Sequence, residues 1–295
     1  MTICIASIGR KSLLATLDSL SKCKLQAEVT LNVVIADDSS TGVVQPLIDG
    51  HTAEWFFNVQ VVRSASANIA IARNACLENA KGDYLAFIDD DETVDQYWIY
   101  SYVNLALALD ADAFFGSVDA IYPEGAARWI CDAKPFVKKV GVSGASVKEG
   151  STCNAFVKKS KIDELKLRFR VELGRSGGED TAFFSELRNG GGILVACDKA
   201  KVYEEVPIGR LNIAHLSRRY IRGGQTYANL YISNGNVIAR ALAYVISFFK
   251  VIFLSILVPL LYLVRKDVSL KYAFKFWLNL GKLRNLLNMS TLKLY

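Results

Sequence analysis

Four consecutive carboxylates follow an apolar segment in the first third of the chain. Leu85, Phe87 and Ile88 have the character of a buried strand end, and Asp89–Glu92 come directly after it. Carboxylates this close repel one another and raise each other's pKa, so they are stable either in open water or around a divalent cation. The pattern predicts a hard oxygen-ligand site for Mg²⁺ or Mn²⁺. The alternative is a solvated turn whose acids cap a helix that begins near Thr93.

A second acidic pair, Glu179 and Asp180, follows Gly177–Gly178 and precedes apolar residues at helical spacing over 181–187. The spacing predicts a helix that begins at the two acids. Acids in the first helical turn interact favourably with the free backbone N–H groups there. On these local grounds, a capping role is the simpler interpretation of the pair.

Basic residues are concentrated in the last third of the chain, although the whole chain has a formal net charge of only +6. Arg218, Arg219 and Arg222 follow shortly after His215. Further cations lie on their C-terminal side: Lys266, Lys271, Lys275, Lys282 and Arg284. Because a planar guanidinium matches phosphate oxygens, the arginines are candidates for contacting a diphosphate, and their alternative is a solvated or lipid-facing patch. His215 is either a ligand of a metal or diphosphate or an imidazole satisfied by its surroundings.

Strands and helices alternate along the first part of the chain, which predicts an α/β fold with a mostly parallel sheet and right-handed crossovers. The predicted strands are residues 3–6, 29–36, 59–62, 84–88, 113–121, 155–157 and 202–207. One predicted helix follows Arg10, and three others cover residues 68–80, 97–109 and 181–187.

Three of the predicted strand ends carry polar residues, at 7–10, 37–40 and 89–92. Ligands of such sheets gather beyond the carboxyl ends of the strands. We therefore expect the three polar segments to line one crevice. This convergence favours the metal-site interpretation of the acidic cluster over the solvated turn.

The composition indicates one α/β catalytic domain with an appendage, since 295 residues can bury a large core. Hydrophobic residues make up 52% of the chain and the mean hydropathy is +0.22, which is high for a soluble protein. The six cysteines are widely separated and form no C-x-x-C pair, which predicts free thiols in a reducing cytosol. The Thr2–Ile5 segment is too short for a signal peptide and predicts a first strand.

The apolar excess lies near the C-terminus, where residues 241–264 would form a helix about 36 Å long, enough to cross a bilayer. A single crossing would carry six basic residues to the far side, against the positive-inside tendency. Lys250 and Pro259 interrupt the segment as well. We therefore expect a kinked, re-entrant or interfacial helical pair, in which residues 271–287 form an amphipathic helix on anionic headgroups. The alternative is a hydrophobic helix that forms a homo-oligomer.

Several short motifs follow one another along residues 2–230. They are the turn 6–10, Ala36-Asp37-Asp38-Ser39-Ser40, Ala72-Arg73-Asn74, Asp89-Asp90-Asp91, Gly178-Glu179-Asp180, and Tyr203-Glu204 with Arg218 and Gly223. In this order they resemble the family-2 glycosyltransferases of the GT-A fold, in particular the non-processive bacterial enzymes that build exopolysaccharide or other surface glycans. The resemblance implies a Rossmann-like, mostly parallel mixed sheet in a catalytic domain over residues 1–235. Residues 236–295 then form a helical membrane-associating appendage.

The same resemblance implies roles for individual residues on the donor side. Asp38 corresponds to the carboxylate that hydrogen-bonds the nucleobase. The nucleotide-binding residues that it implies are Ala6, Ser7, Arg10, Asp38, Arg73 and Asp90. Asp89 and Asp91 correspond to the pair that holds the Mg²⁺ or Mn²⁺ bridging the donor diphosphate, with Asp91 as the more direct ligand and His215 as a third candidate.

On the acceptor side, Asp180 corresponds to the general base, and Glu179 is the second candidate for that role. Arg218, Arg219 and Arg222 are the candidates for contacting the diphosphate or the acceptor. A metal neutralises the leaving diphosphate while a carboxylate takes the proton of the acceptor hydroxyl. One base without a nucleophile implies inversion at the anomeric carbon.

Two departures from the family pattern bear on specificity. The first turn is Ser7-Ile8-Gly9-Arg10 rather than Thr-Tyr-x-Arg, so the aromatic neighbour of the nucleobase is missing. The identity of the donor's nucleobase therefore stays open. The Q-x-x-R-W motif of processive synthases is absent around Arg218-Arg219-Tyr220, which favours transfer of one sugar per encounter.

The predicted function is transfer of a sugar from a nucleotide donor to a polyprenyl-diphosphate-linked oligosaccharide. We expect the donor to be UDP-linked and the enzyme to act at the cytoplasmic face of the inner membrane. The partners are this donor, this acceptor and an anionic membrane surface, with no nucleic acid. One alternative is a transferase that charges polyprenyl phosphate, and another is a membrane-attached nucleotide-binding regulator without turnover. A nucleotide-cofactor oxidoreductase is disfavoured because no G-x-G-x-x-G follows the first strand.

Overall fold

The structure is a computed structural model that describes residues 1–233, 235–287 and 289–292. The chain divides into two compact units. The first consists of Met1–Ala120 and Val137–Glu205, and the second of Ile121–Phe136 and Val206–Tyr295. All the carboxylates predicted to do chemistry belong to the first unit, whereas His215 and the three candidate arginines belong to the second.

The strands are β1 (Thr2–Ser7), β2 (Asn32–Asp37), β3 (Asn58–Arg63), β4 (Tyr84–Ile88), β5 (Glu92–Val94), β6 (Ala113–Ile121), β7 (Asn154–Lys158) and β8 (Leu194–Glu205). They form one sheet in the order β3-β2-β1-β4-β7-β6-β8-β5. Strands β3, β2, β1 and β4 are parallel neighbours. The pairs β4–β7, β6–β7 and β5–β8 are antiparallel. The predicted α/β class with a mixed sheet is confirmed.

The α-helices of the described residues are, in chain order, α1 (Ser12–Leu20), α2 (Val44–Asp49), α3 (Ile69–Asn79), α4 (Trp98–Ala108), α5 (Arg128–Ala133), α6 (Lys159–Glu164), α7 (Glu179–Asn189), α8 (Ile213–Tyr227), α9 (Val237–Val264) and α10 (Lys266–Leu286). The sheet separates two hydrophobic clusters because successive strand residues point to opposite faces. Ile3 of β1 belongs to the cluster that contains Leu13 and Trp98. Cys4 belongs to the cluster that contains Cys76 and Phe183.

Most predicted elements are present, and β4 and β6 have the predicted bounds. Strand β2 begins at Asn32 rather than Val29, because Val29 closes a turn by donating its N–H to the Gln26 carbonyl at 3.0 Å. The alternative helix from Thr93 is wrong. Glu92–Val94 instead form β5, which pairs with β8, and the following helix begins only at Trp98.

The second unit contains two long C-terminal helices where the sequence predicts a helical pair. Helix α9 is 28 residues long, and the preceding Asn236 caps it by accepting a side-chain hydrogen bond from the Ala239 N–H. It is long and apolar enough to cross a membrane, by length and composition. Arg265 is the capping residue between the end of α9 and the start of α10. Helix α10 packs on both α9 and α8. Entry of this pair into a bilayer stays a prediction.

Glycines allow α8 and α10 to approach closely. A Cβ atom on Gly224 would lie 2.0 Å from the Leu278 carbonyl oxygen, and one on Gly281 would lie 2.0 Å from the Ile221 carbonyl oxygen. The neighbouring Gly223 has no heavy atom within 4 Å of the same position. The helix contact therefore requires Gly224 and Gly281 and leaves Gly223 unconstrained.

We expect Gly224→Ala to lower the free energy of unfolding by about 1–3 kcal/mol, because the added methyl group forces the two backbones apart. Gly223→Ala is the matched control on the same helix. It should leave stability unchanged or raise it by up to about 1 kcal/mol, because alanine favours the helix. Chemical unfolding of the full-length protein followed by circular dichroism measures both. Equal effects of the two substitutions would contradict the close contact.

Candidate active site at the strand ends

The turn after β4 places Asp90 inside the fold. The Asp90 carboxylate accepts a hydrogen bond from the Ser7 hydroxyl at 2.6 Å and pairs with the Arg10 guanidinium at 3.0 Å. Burial, reinforced by Asp91 and Asp89, raises the pKa of Asp90 to about 6, while Ser7 and Arg10 oppose the rise. The polar segments after β1 and β4 therefore meet, as the parallel sheet predicts.

Asp89 and Asp91, on either side of Asp90, are more accessible. Their side chains are 41% and 22% exposed, whereas that of Asp90 is 5% exposed. Asp89 accepts from Arg73 at 3.2 Å, and Asp91 accepts from Arg10 at 3.1 Å. These hard carboxylate oxygens fit Mg²⁺ or Mn²⁺, which proteins often bind through one or two carboxylates together with substrate phosphates. Within the described residues no group of three or more acids, histidines or cysteines could hold a metal alone.

Glu92 has a structural role, although its place in the acidic run suggests a metal ligand. It lies in β5, is 2% exposed, and accepts the backbone N–H of Asp89 at 3.0 Å. Burial, followed by the charge of Asp89, raises the pKa of Glu92 well above its usual range. Glu92 therefore holds the turn from inside and does not share the accessible position of Asp89 and Asp91.

Arg73 of α3 connects the acidic turn with the second acidic pair. Its guanidinium donates to Glu179 at 2.5 Å and to Asp89 at 3.2 Å, and it lies 5.8 Å from the Phe169 ring centre. Burial lowers the pKa of Arg73, but Asp89, Glu179 and Asp180 outweigh burial and raise it. The sequence predicts a nucleotide contact for Arg73. In the structure its contacts are carboxylates, and the nucleotide role stays a prediction.

Two glycines orient the second acidic pair at the start of α7. Gly177 and Gly178 have φ angles of 85° and 97°, in the left-handed region that favours glycine. The helix then begins at Glu179, as predicted. Glu179 is buried, and burial followed by the charge of Asp180 raises its pKa. One of its oxygens, Oε2, is buried without a hydrogen-bond partner among the described atoms.

Asp180 is only partly buried, and its hydrogen-bond partners differ from those of Glu179. Its Oδ2 atom accepts from the Ser151 hydroxyl at 2.9 Å, and its Oδ1 atom accepts from the Thr181 N–H at 2.7 Å. The Lys138 ammonium donates to the same Ser151 hydroxyl at 3.3 Å and contacts the Cys153 sulfur at 3.1 Å. Sequence analysis did not identify Ser151 or Lys138. Both precede β7 in an irregular segment, and no local motif marks them.

The end of β2 carries Asp37 and Asp38, with β1 alongside it. Buried Asp37 pairs with Arg63 at 3.0 Å and accepts from the backbone of Ser39 at 2.9 Å. Burial raises its pKa, but these partners outweigh burial and lower it. Ala6 lies beside Ala36 in the β1–β2 register.

Asp38 organises the loop over residues 64–68. Its Oδ1 atom accepts from the Ser66 N–H at 2.7 Å, the Ser66 hydroxyl at 2.9 Å and the Ser64 hydroxyl at 3.1 Å. Its Oδ2 atom accepts from the Asn68 N–H at 2.8 Å. A carboxylate offers about four acceptor positions, so Oδ2 retains capacity for a further donor. The predicted contact of Asp38 with the nucleobase stays a prediction.

The candidate residues of the second unit lie on α8. The His215 ring stacks on Phe136 with 6.3 Å between ring centres, and Arg219 lies 4.8 Å from the Phe136 ring centre. Burial and the nearby arginines, which include Arg218 and Arg222, lower the pKa of His215. The imidazole is therefore neutral at neutral pH, which is the form that binds metals. The roles predicted for His215 and the three arginines stay predictions.

Sequence comparison identifies relatives of the chain. Residues 2–166 match the profile of Glycosyl transferase family 2. The succinoglycan biosynthesis protein ExoM of Rhizobium meliloti is 34% identical over 237 residues, which cover 80% of this chain and 77% of that protein.

Solved structures show the same fold. TarS of S. aureus superposes with a TM-score of 0.57 at 13% identity over 96% of this chain and 55% of its own, so this chain spans about half of TarS. The TarS 1–349 fragment in complex with UDP-GlcNAc gives 0.55 at 13% identity, over 98% and 92%. GalNAc-T7 with UDP, GalNAc and Mn²⁺ gives 0.58 at 17% identity, over 79% and 50%. At these identities the likeness concerns the fold, and it confirms the predicted GT-A architecture.

We expect Arg73→Met to lower the free energy of unfolding by about 3–5 kcal/mol, because Glu179 would remain buried without its partner. Adding Glu179→Gln to this variant should restore at least about 1 kcal/mol, since the stranded charge is removed. The exposed pair Lys159 and Asp163, at 2.6 Å, supplies the control, and Lys159→Met should cost less than about 1 kcal/mol. Denaturant unfolding of Arg73→Met, Glu179→Gln, their double variant and Lys159→Met measures the coupling. Additive losses from Arg73→Met and Glu179→Gln would contradict it.

Proposed function

We propose, given that this chain belongs to glycosyl transferase family 2, that it transfers one sugar from a UDP-linked donor to a lipid-linked oligosaccharide with inversion at the anomeric carbon. The observation that carries the proposal is the Arg73 bridge between Asp89, in the turn proposed to bind the metal, and Glu179, beside Asp180. A single cation thus holds Asp89 on the donor side and Glu179, the neighbour of the proposed base Asp180.

On the donor side, Asp89 and Asp91 would hold Mg²⁺ or Mn²⁺. When bound, the ion neutralises charge on the leaving diphosphate. Arg10 contacts both Asp90 and Asp91, which keeps the turn in place and adds positive charge beside the two acids. Two structural neighbours support this assignment, since the TarS 1–349 fragment was solved in complex with UDP-GlcNAc and GalNAc-T7 with UDP, GalNAc and Mn²⁺.

On the acceptor side, Asp180 is the better candidate for the base. Glu179 is buried and commits Oε1 to Arg73 at 2.5 Å, so its orientation is restricted. Asp180 is partly exposed, and the Ser151 hydroxyl orients its Oδ2 atom. A carboxylate that is accessible yet fixed can take the proton of an incoming hydroxyl. The displacement then breaks the bond to the diphosphate as the acceptor oxygen bonds to the anomeric carbon.

The proposed acceptor and location rest on the relative ExoM and on helix α9. ExoM is named for succinoglycan biosynthesis, which supports a role in building an exopolysaccharide. The apolar helix α9 suggests membrane association. A polyprenyl-diphosphate-linked acceptor at the cytoplasmic face would explain both features. We place catalysis in residues 1–235, with Arg218, Arg219 and Arg222 toward the diphosphate, and membrane association in residues 236–295.

The base assignment predicts a separation of turnover from binding. With Mn²⁺, a panel of nucleotide sugars and a lipid-linked oligosaccharide acceptor, Asp180→Asn should reduce release of nucleoside diphosphate at least about 100-fold, because the acceptor proton has no base. Its donor affinity should stay within a few fold of the unaltered protein. Glu179→Gln is the control at the neighbouring position and should retain more turnover. A turnover loss in Glu179→Gln without one in Asp180→Asn would reverse the two roles.

The metal assignment predicts that donor binding depends on a divalent ion through Asp91. Asp91→Asn should abolish the Mn²⁺-dependent part of UDP binding in calorimetry, because it removes the charge of one ligand. Asp95→Asn, which follows β5, is the charge-matched control and should bind UDP normally. UDP binding that is undiminished in EDTA would contradict the assignment.

A further inference from the structure

A cavity of about 310 Å³ lies between α9 and α10 in the second unit. Three cations line it: Arg240 and Lys250 from α9 and Lys282 from α10. Tyrosines Tyr227 and Tyr231 complete its polar side. None of the catalytic assignments uses these residues, so the cavity is a separate feature of the chain.

The three cations come from different turns of the two helices. Arg240 and Lys250 are ten residues apart on one helix, which corresponds to about 15 Å. Helices α9 and α10 run antiparallel, since Tyr244 donates to Asn285 at 3.0 Å and Ser269 donates to the Val258 carbonyl at 2.8 Å. This register places Lys282 level with the α9 turn between Arg240 and Lys250. Lys282 and Lys250 are thus about one helical turn apart along the pair, so their long side chains can reach one anion.

Among the residues that the structure describes, no acidic side chain lines the cavity. Residues 206–295 contain thirteen lysines and arginines but a single acid, Asp267, and Asp267 is paired with Arg265 at 2.9 Å. The Lys282 ammonium lies 4.3 Å from the Tyr227 ring centre, which holds it at the cavity wall. The cavity thus has a positive potential that favours an anionic ligand.

The same helix presents a hydrocarbon surface beside the cavity. Phe249, Phe253 and Ile256 are 64%, 63% and 61% exposed, and Phe249 adjoins Lys250 in the chain. A ligand that satisfies both features needs a phosphate group and a long apolar chain. Soluble phosphates and nucleotides offer only the first, whereas a phospholipid or phosphorylated isoprenoid offers both.

We propose that this cavity binds the phosphate headgroup of an anionic lipid, with the hydrocarbon chain of that lipid along the exposed residues of α9. Basic pockets between helices at a membrane surface recognise such headgroups. The inference rests on the membrane association in the proposed function, and it adds a defined site to it. It concerns lipid binding and is independent of the identity of the catalytic base.

The test uses full-length protein in neutral detergent, titrated with fluorescently labelled phosphatidic acid. The double variant Lys250→Gln with Lys282→Gln should bind this lipid about 25-fold more weakly, at about fivefold for each lost cation. Lys266→Gln with Lys271→Gln removes the same charge from α10 outside the cavity and should stay within about twofold. Phosphatidylcholine should bind weakly to all three proteins, because its headgroup carries no net charge.

Three results would overturn the proposal. Equal weakening in both double variants would indicate general charge attraction, and no weakening in either would show that the cavity is not used. Displacement of the lipid by inorganic phosphate at equal concentration would indicate a site for soluble anions. UDP binding and sugar transfer measured on the same samples keep the two hypotheses apart. Absence of sugar transfer with normal lipid binding would contradict only the catalytic proposal. Normal sugar transfer without lipid binding at the cavity would contradict only the lipid-site proposal.

Discussion

The candidate site depends on one buried cation, the Arg73 guanidinium. Burying this charge is unfavourable unless carboxylates surround it, and the structure supplies Glu179 at 2.5 Å and Asp89 at 3.2 Å. The two acids come from different elements, so the cation fixes the start of α7 against the end of β4. A lysine could not replace it, because an ammonium lacks the planar fork that spans two separate carboxylates.

Each acidic segment of the site contains both buried and accessible carboxylates. Asp37 is buried and Asp38 is partly exposed, Asp90 is buried between Asp89 and Asp91, and Glu179 is buried beside Asp180. At the end of β2, neighbouring side chains of the extended backbone point in opposite directions, which separates Asp37 from Asp38. At the start of α7, Glu179 contacts Arg73 whereas Asp180 accepts from Ser151. The buried members hold the turns through hydrogen bonds. The accessible members remain able to meet a ligand, and these are the ones to which we assign chemistry.

Sequence analysis predicted the elements that have long apolar patterns and missed what depends on distant partners. Strands β4 and β6 have the predicted bounds because their buried residues are continuous. The three residues of β5 are too few to show a period, so the inward position of Glu92 was hidden in the acidic run. The partners of Arg73 and Asp180 are 106 and 29 residues away from them, and no local spacing encodes such contacts.

The charge of the chain changes sign between its two parts. Residues 1–205 contain 22 lysines and arginines against 28 acids, whereas residues 206–295 contain thirteen against one. An anionic membrane surface attracts the second segment and repels the first, and this effect extends over about one Debye length, roughly 8–10 Å. Under the proposed function, the acidic candidate site would benefit from this separation, because it would attract a cation such as Mn²⁺ while the basic helices would meet the lipid. The proposed attachment and the proposed metal binding have opposite electrostatic needs, and a chain that keeps the two charges apart in sequence can meet both.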